Sequence, residues 1–266
     1  MQLQYADYLF KLYAMKEAKT IDEVLDQLDH IIDETLSKKS YAGLFAYVYR
    51  RTTAEIKKAI EQKRFEDNVR MEKMDVIFAN FYIAAYNGFK ENLPISKSWK
   101  TSFEVQMNPL TSIQHVLLGM NAHINLDLGQ AAAIVTSGSK ISNLENDFME
   151  VNKVLAELVD EMQRKLGKIS PLMMLLDWIG KRSDELMVNF SMVKARNQAW
   201  NLANELSNAQ NDQLRKMRVE IADDNIALLG SLIVKPPGRI LKFILKIISA
   251  TEEKNIRKII ERLTTE

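Results

Sequence analysis

The chain contains no cysteine. That absence excludes disulfides, thiolate zinc sites and a cysteine nucleophile, and it fits a reducing compartment. Histidine is scarce, with three residues in 266. Glycine and proline, at nine and five, leave few places where a helix must stop. No run of about 18 uncharged apolar residues occurs, so no segment reads as a membrane span. The opening "MQLQYADYLFKLYAMKEAK" sets Asp7, Lys11, Lys16 and Glu17 where a signal peptide needs unbroken apolarity. Charge of one sign is lacking too. The formal net charge is +1, which gives no general field for nucleic acid. The expectation is a cytoplasmic protein that does not bind nucleic acid.

What the chain has is 47% apolar and 27% charged residues, the composition of a globular protein with a sizeable core. Apolar spacing is mostly three and four, which is helical. Thr20 to Glu23 reads as a capping box opening a helix to about Lys38. A second helix is expected over 41–63 and a third within 67–92. Asn108-Pro109 reads as the N-cap and first position of a fourth. Ser142 to Glu145 reads as another capping box, Ser170-Pro171 as another start and Ser183 as the start of a long helix. A helix over about 212–229 follows, then the break "KPPGR" and two short basic helices. No alternating strand pattern stands out. The expected architecture is all-α, with about ten helices in a single domain over 1–266. Residues 1–20 form an extension, helix 109–128 is buried at the centre, and the helices of 238–266 pack onto the bundle.

The segment "HVLLGMNAHINLDLG", residues 115–129, is apolar on all sides yet carries two histidines, two asparagines and an aspartate. A helix that is apolar all round is normally buried all round, so these polar groups need partners inside the protein. At about 100° per residue, His115, Gly119, His123 and Asp127 share one stripe, and Asn121 and Asn125 lie opposite. His123 and Asp127, one turn apart, suit the binding of one divalent metal or an imidazole oriented by a carboxylate for acid/base work. His115 lies about 12 Å away along the axis. It would serve a second ion or act as a general acid or base. Gly119 leaves space beside the helix, where a ligand or another backbone could approach. The competing reading is a hydrogen-bond network that only ties helices together.

Other segments offer further ligand-binding candidates. They are Asp75, Asn80 and Tyr82 on the third helix, and Arg196 with Trp200 in "KARNQAW". Asp75, Asn80, Tyr82 and Asn87 could face His115 or Asp127, or could belong to a solvated face. Asp147 and Asn152 are expected to be exposed, and Arg196 to lie at the surface beside a core tryptophan. In "GRILKFILKIISATEEKNIRKIIERL", residues Ile240, Phe243, Ile244, Ile247 and Ile248 form a stripe with Arg239, Lys242 and Lys246 off it. That stripe is expected to pack on the core. Contact of 238–262 with an anionic membrane surface is the alternative.

The pattern H-x-L-L-G-M-N-A-H-I-N-x-D-L resembles the signature of a family of bacterial proteins of unknown function. "LFAYVYRRTTAEI", the aromatic helix around Phe78 and Tyr82, Trp99, "NDFMEVN", "ARNQAW" and "KPPG" fit it also, over about residues 40–262. The resemblance implies an all-α domain and no particular activity. H-x-x-x-D on a central helix is similar, more faintly, to part of the zinc site of all-α phospholipases C and P1-type nucleases. Those enzymes need more histidines and an N-terminal tryptophan for three zincs. With only His30, His115 and His123 here, a full cluster is rejected. A site for one or two ions of zinc, iron or manganese survives, with oxygens from Asp127 and Asp75. Two functions follow: a metal-assisted hydrolase using His123, Asp127 and His115, or a non-catalytic helical protein that binds a small molecule or is purely structural. The substrate and oligomeric state are not indicated.

Overall fold

The computed structural model describes residues 17–155 and 192–264. Within them the chain forms ten α-helices and no strands. In order these are α1 (Ile21–Ser37), α2 (Ala42–Glu61), α3 (Asn68–Lys90), α4 (Lys97–Glu104), α5 (Ser112–Ala122), α6 (Leu128–Val135), α7 (Met192–Ser207), α8 (Asp212–Val234), α9 (Arg239–Thr251) and α10 (Ile256–Thr264). A π-helical turn, His123–Asp127, joins α5 to α6. A 3-10 turn, Ile141–Leu144, leads into helical residues 145–155. The expected breaks at Ser170-Pro171 and Ser183 lie outside the described residues.

Local chemistry sets the boundaries. Thr20 caps α1 by accepting from the Glu23 amide. Asp67 caps α3 in the same way through the Arg70 amide. The expected start at Asn108-Pro109 is corrected. Thr111 is the true cap, in a reciprocal capping box with Gln114, because threonine followed three residues later by glutamine satisfies two free amides at once. The helix also runs on through α6 to Val135, past the end near residue 128 expected for it. The capping box expected at Ser142 does not form. Its residues take a 3-10 turn whose N-cap, Lys140, makes no side-chain bond.

Segment 112–135 is the axis of the fold. Its α5 part packs on α2, α4 and α8, the π turn on α3, α7 and α8, and α6 on α3 and α7. Every polar side chain singled out on it is buried: His115, Asn121, His123, Asn125 and Asp127. Around the axis lie two large apolar clusters. One gathers side chains of α1–α5 and α10, among them Phe45, Tyr49, Tyr82 and Trp99. The other joins α2, α3, α6, residues 145–155 and α7. Phe78 packs against both.

Carboxylates from remote parts of the chain begin three of the helices near the axis. Asp147 accepts from the Glu66 and Asp67 amides at the entry to α3, and from Arg70. It is therefore buried, contrary to the exposure expected for it. Asn152 is half-buried and bonds Met149. Asp223 of α8 accepts from the Lys97 and Ser98 amides of α4. Glu252 accepts from the Ser112 amide and hydroxyl at the start of α5. Free helix N-termini carry unpaired donors and a partial positive charge, which is why an acid serves there.

Two further expectations are corrected. The apolar stripe assigned to the core on α9 is divided. Leu241, Leu245 and Ile248 are buried, whereas Ile240, Phe243 and Ile247 are exposed. The helix is apolar on two sides, and periodicity alone does not choose between them. Gly119 does not open space for a ligand either. The Phe45 ring fills it, and a Cβ added there would stand 2.2 Å from Phe45 Cγ. Alanine in place of helical glycine normally gains up to about 1 kcal/mol of helix propensity. Overlap with a buried ring outweighs that gain. Gly119→Ala is expected to destabilise by about 1–3 kcal/mol in urea denaturation.

Candidate functional site

Trp99 is placed by its own helix start. Ser96 caps α4 by accepting from the Trp99 amide, while Asp223 holds the two preceding amides. The indole so fixed donates its Nε1 proton to Asp127 Oδ2 at 2.9 Å. The same oxygen lies 2.9 Å from His123 Nδ1. The π turn helps this pairing. The Leu128 amide reaches back five residues to the His123 carbonyl, and the wider turn is a local rearrangement often found at functional positions.

His123 sits in an aromatic box. Its ring stacks on Phe78 with centroids 3.6 Å apart and planes 7° from parallel. Tyr49 meets it edge-on at 4.3 Å, and Phe45 at 5.7 Å. Tyr82 and Trp99 complete the surround. Burial holds the His123 pKa well below the usual imidazole range. Burial likewise pushes Asp127 well above the carboxylate range, against the lowering effect of the Trp99 bond. Both directions favour uncharged forms. Asp127 engages Nδ1, and the other ring nitrogen, Nε2, is buried with no partner among the described residues.

Beside the ring lies a cavity of about 100 Å³ at the seam of the two apolar clusters. Phe45, Tyr49, Phe78 and three methionines, Met71, Met74 and Met120, share its wall with aliphatic side chains such as Ile56, Ile124 and Leu128. Four ionisable residues line it: Tyr49, Asp75, His123 and Arg196. Burial raises Asp75 to about 7, with nearby Glu72 adding to the effect, and its Oδ2 has no partner. Arg196 is buried, not at the surface as expected. It donates from Nη2 to the Phe148 carbonyl, packs over the Phe148 ring at 4.4 Å, and leaves Nε without a partner among the described residues. Desolvation lowers its pKa to about 9, so it is still cationic at neutral pH.

Of the sequence candidates, Asp75, His123 and Arg196 therefore meet at one cavity, with Asp127 behind His123 and the Tyr82 ring in the surrounding box. The others go elsewhere. His115 stacks on Tyr41 at 4.5 Å and its Nε2 faces the Asn108 carbonyl at 3.3 Å. Asn80 clasps the backbone of Ala18 through both amide atoms. Asn121 donates to the Ile226 carbonyl and accepts from Asn125, tying α5 to α8. Trp200 packs on Phe148 outside the cavity wall. The two facing atoms of the H-x-x-x-D pair engage each other. Among the described residues no group of three or more His, Asp or Glu side chains is placed to hold a metal ion. Tyr49, Phe78, Trp99 and the methionines were not among the sequence candidates. The only signal for the first two was a density of aromatics at one-turn spacing, as in Phe45 and Tyr49 on α2.

An all-helical bundle with a buried Trp–Asp–His chain beside an interior cavity is thus the class of protein that fold and site define. The chain belongs to the family of unknown function DUF5995, which residues 21–236 match. No curated protein and no solved structure matches it.

Burial lowers the His115 pKa to about 4, with repulsion from Lys254 assisting. Between about pH 4 and 6.5 the unfolded chain then binds a proton at His115 that the folded chain does not, so stability rises with pH across this window and is lost below it. His123 contributes with the same sign. The wild-type minus His115→Gln difference in urea-denaturation stability is expected to grow by on the order of 2–3 kcal/mol from pH 4 to pH 7.

Proposed function

We propose that this protein binds a small organic acid in the cavity beside His123, the apolar body against the aromatic and methionine wall and the carboxylate on Arg196. One observation carries the reading: four residues lining a single apolar cavity each hold a buried polar atom with no partner among the described residues, namely Tyr49 Oη, Asp75 Oδ2, His123 Nε2 and Arg196 Nε. Each such orphan costs about 1–3 kcal/mol unless something bonds it. A bound molecule with a polar head does so. Arg196 selects an acid because it is a desolvated cation that pairs with no carboxylate among the described residues, and guanidinium recognises carboxylate well. Asp75, neutral below about pH 7, donates to the ligand rather than repelling it.

Size narrows the class. A cavity of about 150 Å³ holds benzene in an engineered core, and this one is about 100 Å³. Short-chain acids fit directly, and methionine side chains yield to somewhat larger ones. A second reading, proton transfer to or from the bound molecule by His123, draws support from the Trp99–Asp127 hold on its ring.

Butyrate, isobutyrate and benzoate are expected to bind at pH 6 by calorimetry and to raise the melting temperature, and the matching amides to do so far less. Arg196→Met is expected to weaken the acids by about tenfold or more. Wild-type protein unaffected by all three acids defeats the proposal. Asp127→Asn that spares binding but stops turnover of a bound acid favours the second reading. Stoichiometric zinc, iron or manganese in tag-free protein, lost in His123→Ala, replaces both with metal-assisted hydrolysis.

A further inference from the structure

The exposed side of α9 has no role in the cavity and none in the core. Ile240 is 72% exposed, Phe243 64% and Ile247 38%. On a helix these three fall within about 60° of one another, and Arg239, Lys242 and Lys246 occupy the next sector. The opposite face is fixed to the protein by Leu241, Leu245 and Ile248. The ridge therefore faces outward, with a phenylalanine at its middle.

Charge along this stretch is one-sided. From Asn225 to Thr251 the sequence has four basic residues, Lys235, Arg239, Lys242 and Lys246, and no acidic one. The whole chain has a net charge of only +1. Among the described residues no helix is long and apolar enough to cross a membrane, so any lipid contact made by these helices is at the surface. Helix α9 also lies beyond the family-matched residues 21–236.

We infer that α9 docks this protein on an anionic lipid surface, with Ile240, Phe243 and Ile247 entering the headgroup boundary and Arg239, Lys242 and Lys246 against lipid phosphates. An apolar ridge flanked by cations is the pattern of interfacial helices, and neither part holds a protein to a bilayer well by itself. A second copy of the chain suits the ridge poorly, because facing copies would bring two cationic sectors together.

Co-sedimentation of the full chain with vesicles tests this. Wild-type protein is expected to pellet with mixed phosphatidylcholine–phosphatidylglycerol vesicles, less so as salt rises, and to stay in solution with pure phosphatidylcholine. The double variant Ile240→Glu, Phe243→Glu and the double variant Lys242→Glu, Lys246→Glu are each expected to cut binding by about tenfold or more. All four positions are exposed, so circular-dichroism melting should match wild type in both. Wild-type protein that ignores the mixed vesicles at low salt overturns the inference, as does the Ile240/Phe243 variant pelleting like wild type. A dimer in light scattering that this variant splits, with no vesicle binding, assigns the ridge to a second copy and overturns it as well.

Discussion

The hydrogen bonds that run from the Trp99 indole to Asp127 and on to His123 solve the main problem this sequence sets itself. A central helix that is apolar on all sides has no wet face on which to leave a carboxylate or an imidazole. Each must be satisfied inside or held neutral, since an unpaired charge in a low-dielectric interior is far costlier than a paired or uncharged group. The indole, itself held by a helix cap and by Asp223, supplies the donor. The π turn brings acid and imidazole together, and the five surrounding rings favour a neutral imidazole. One ring nitrogen is consumed and the other is left beside the cavity. A molecule entering that cavity would meet a group whose orientation was settled by structure on its far side.

Much of this was legible in the sequence, and for identifiable reasons. All-round apolarity announced that residues 115–129 are buried, and a spacing of four announced that His123 and Asp127 meet. Both signals depend only on helical geometry. What neighbours supply was not legible. Gly119 looked like an opening because a missing side chain leaves room, but Phe45 arrives from another helix to take it. Arg196 reads as a surface residue because arginine usually is one. Its burial depends on a carbonyl and a ring at Phe148, some fifty positions back in the chain and unknowable from local pattern. The α9 stripe failed for a related reason. When a helix is apolar on two sides, only the position of the core decides which one is covered.

The same distinction explains the scattered candidates. Asn80, Asn121 and Asn125 are buried or half-buried amides, and density of polar groups cannot separate an amide that ties two helices from one that awaits a ligand. The amides of Asn80 and Asn121 are spent on backbone groups and on Asn125, and Asn125 Oδ1, without a partner among the described residues, lies away from the cavity, whereas Tyr49, Asp75, His123 and Arg196 each keep an unspent atom at a shared space. The incomplete satisfaction of four groups in one place, rather than their polarity, is what singles out the candidate site.

Glu252 lies sixteen residues past the stretch shared with the family, yet it closes the first turn of the central helix by accepting from Ser112. Anyone trimming this protein to the family's borders for expression would remove that carboxylate and leave a buried amide and hydroxyl at the root of the axis to seek water. The practical edge of the folding unit therefore sits further along the chain than shared ancestry alone would draw it.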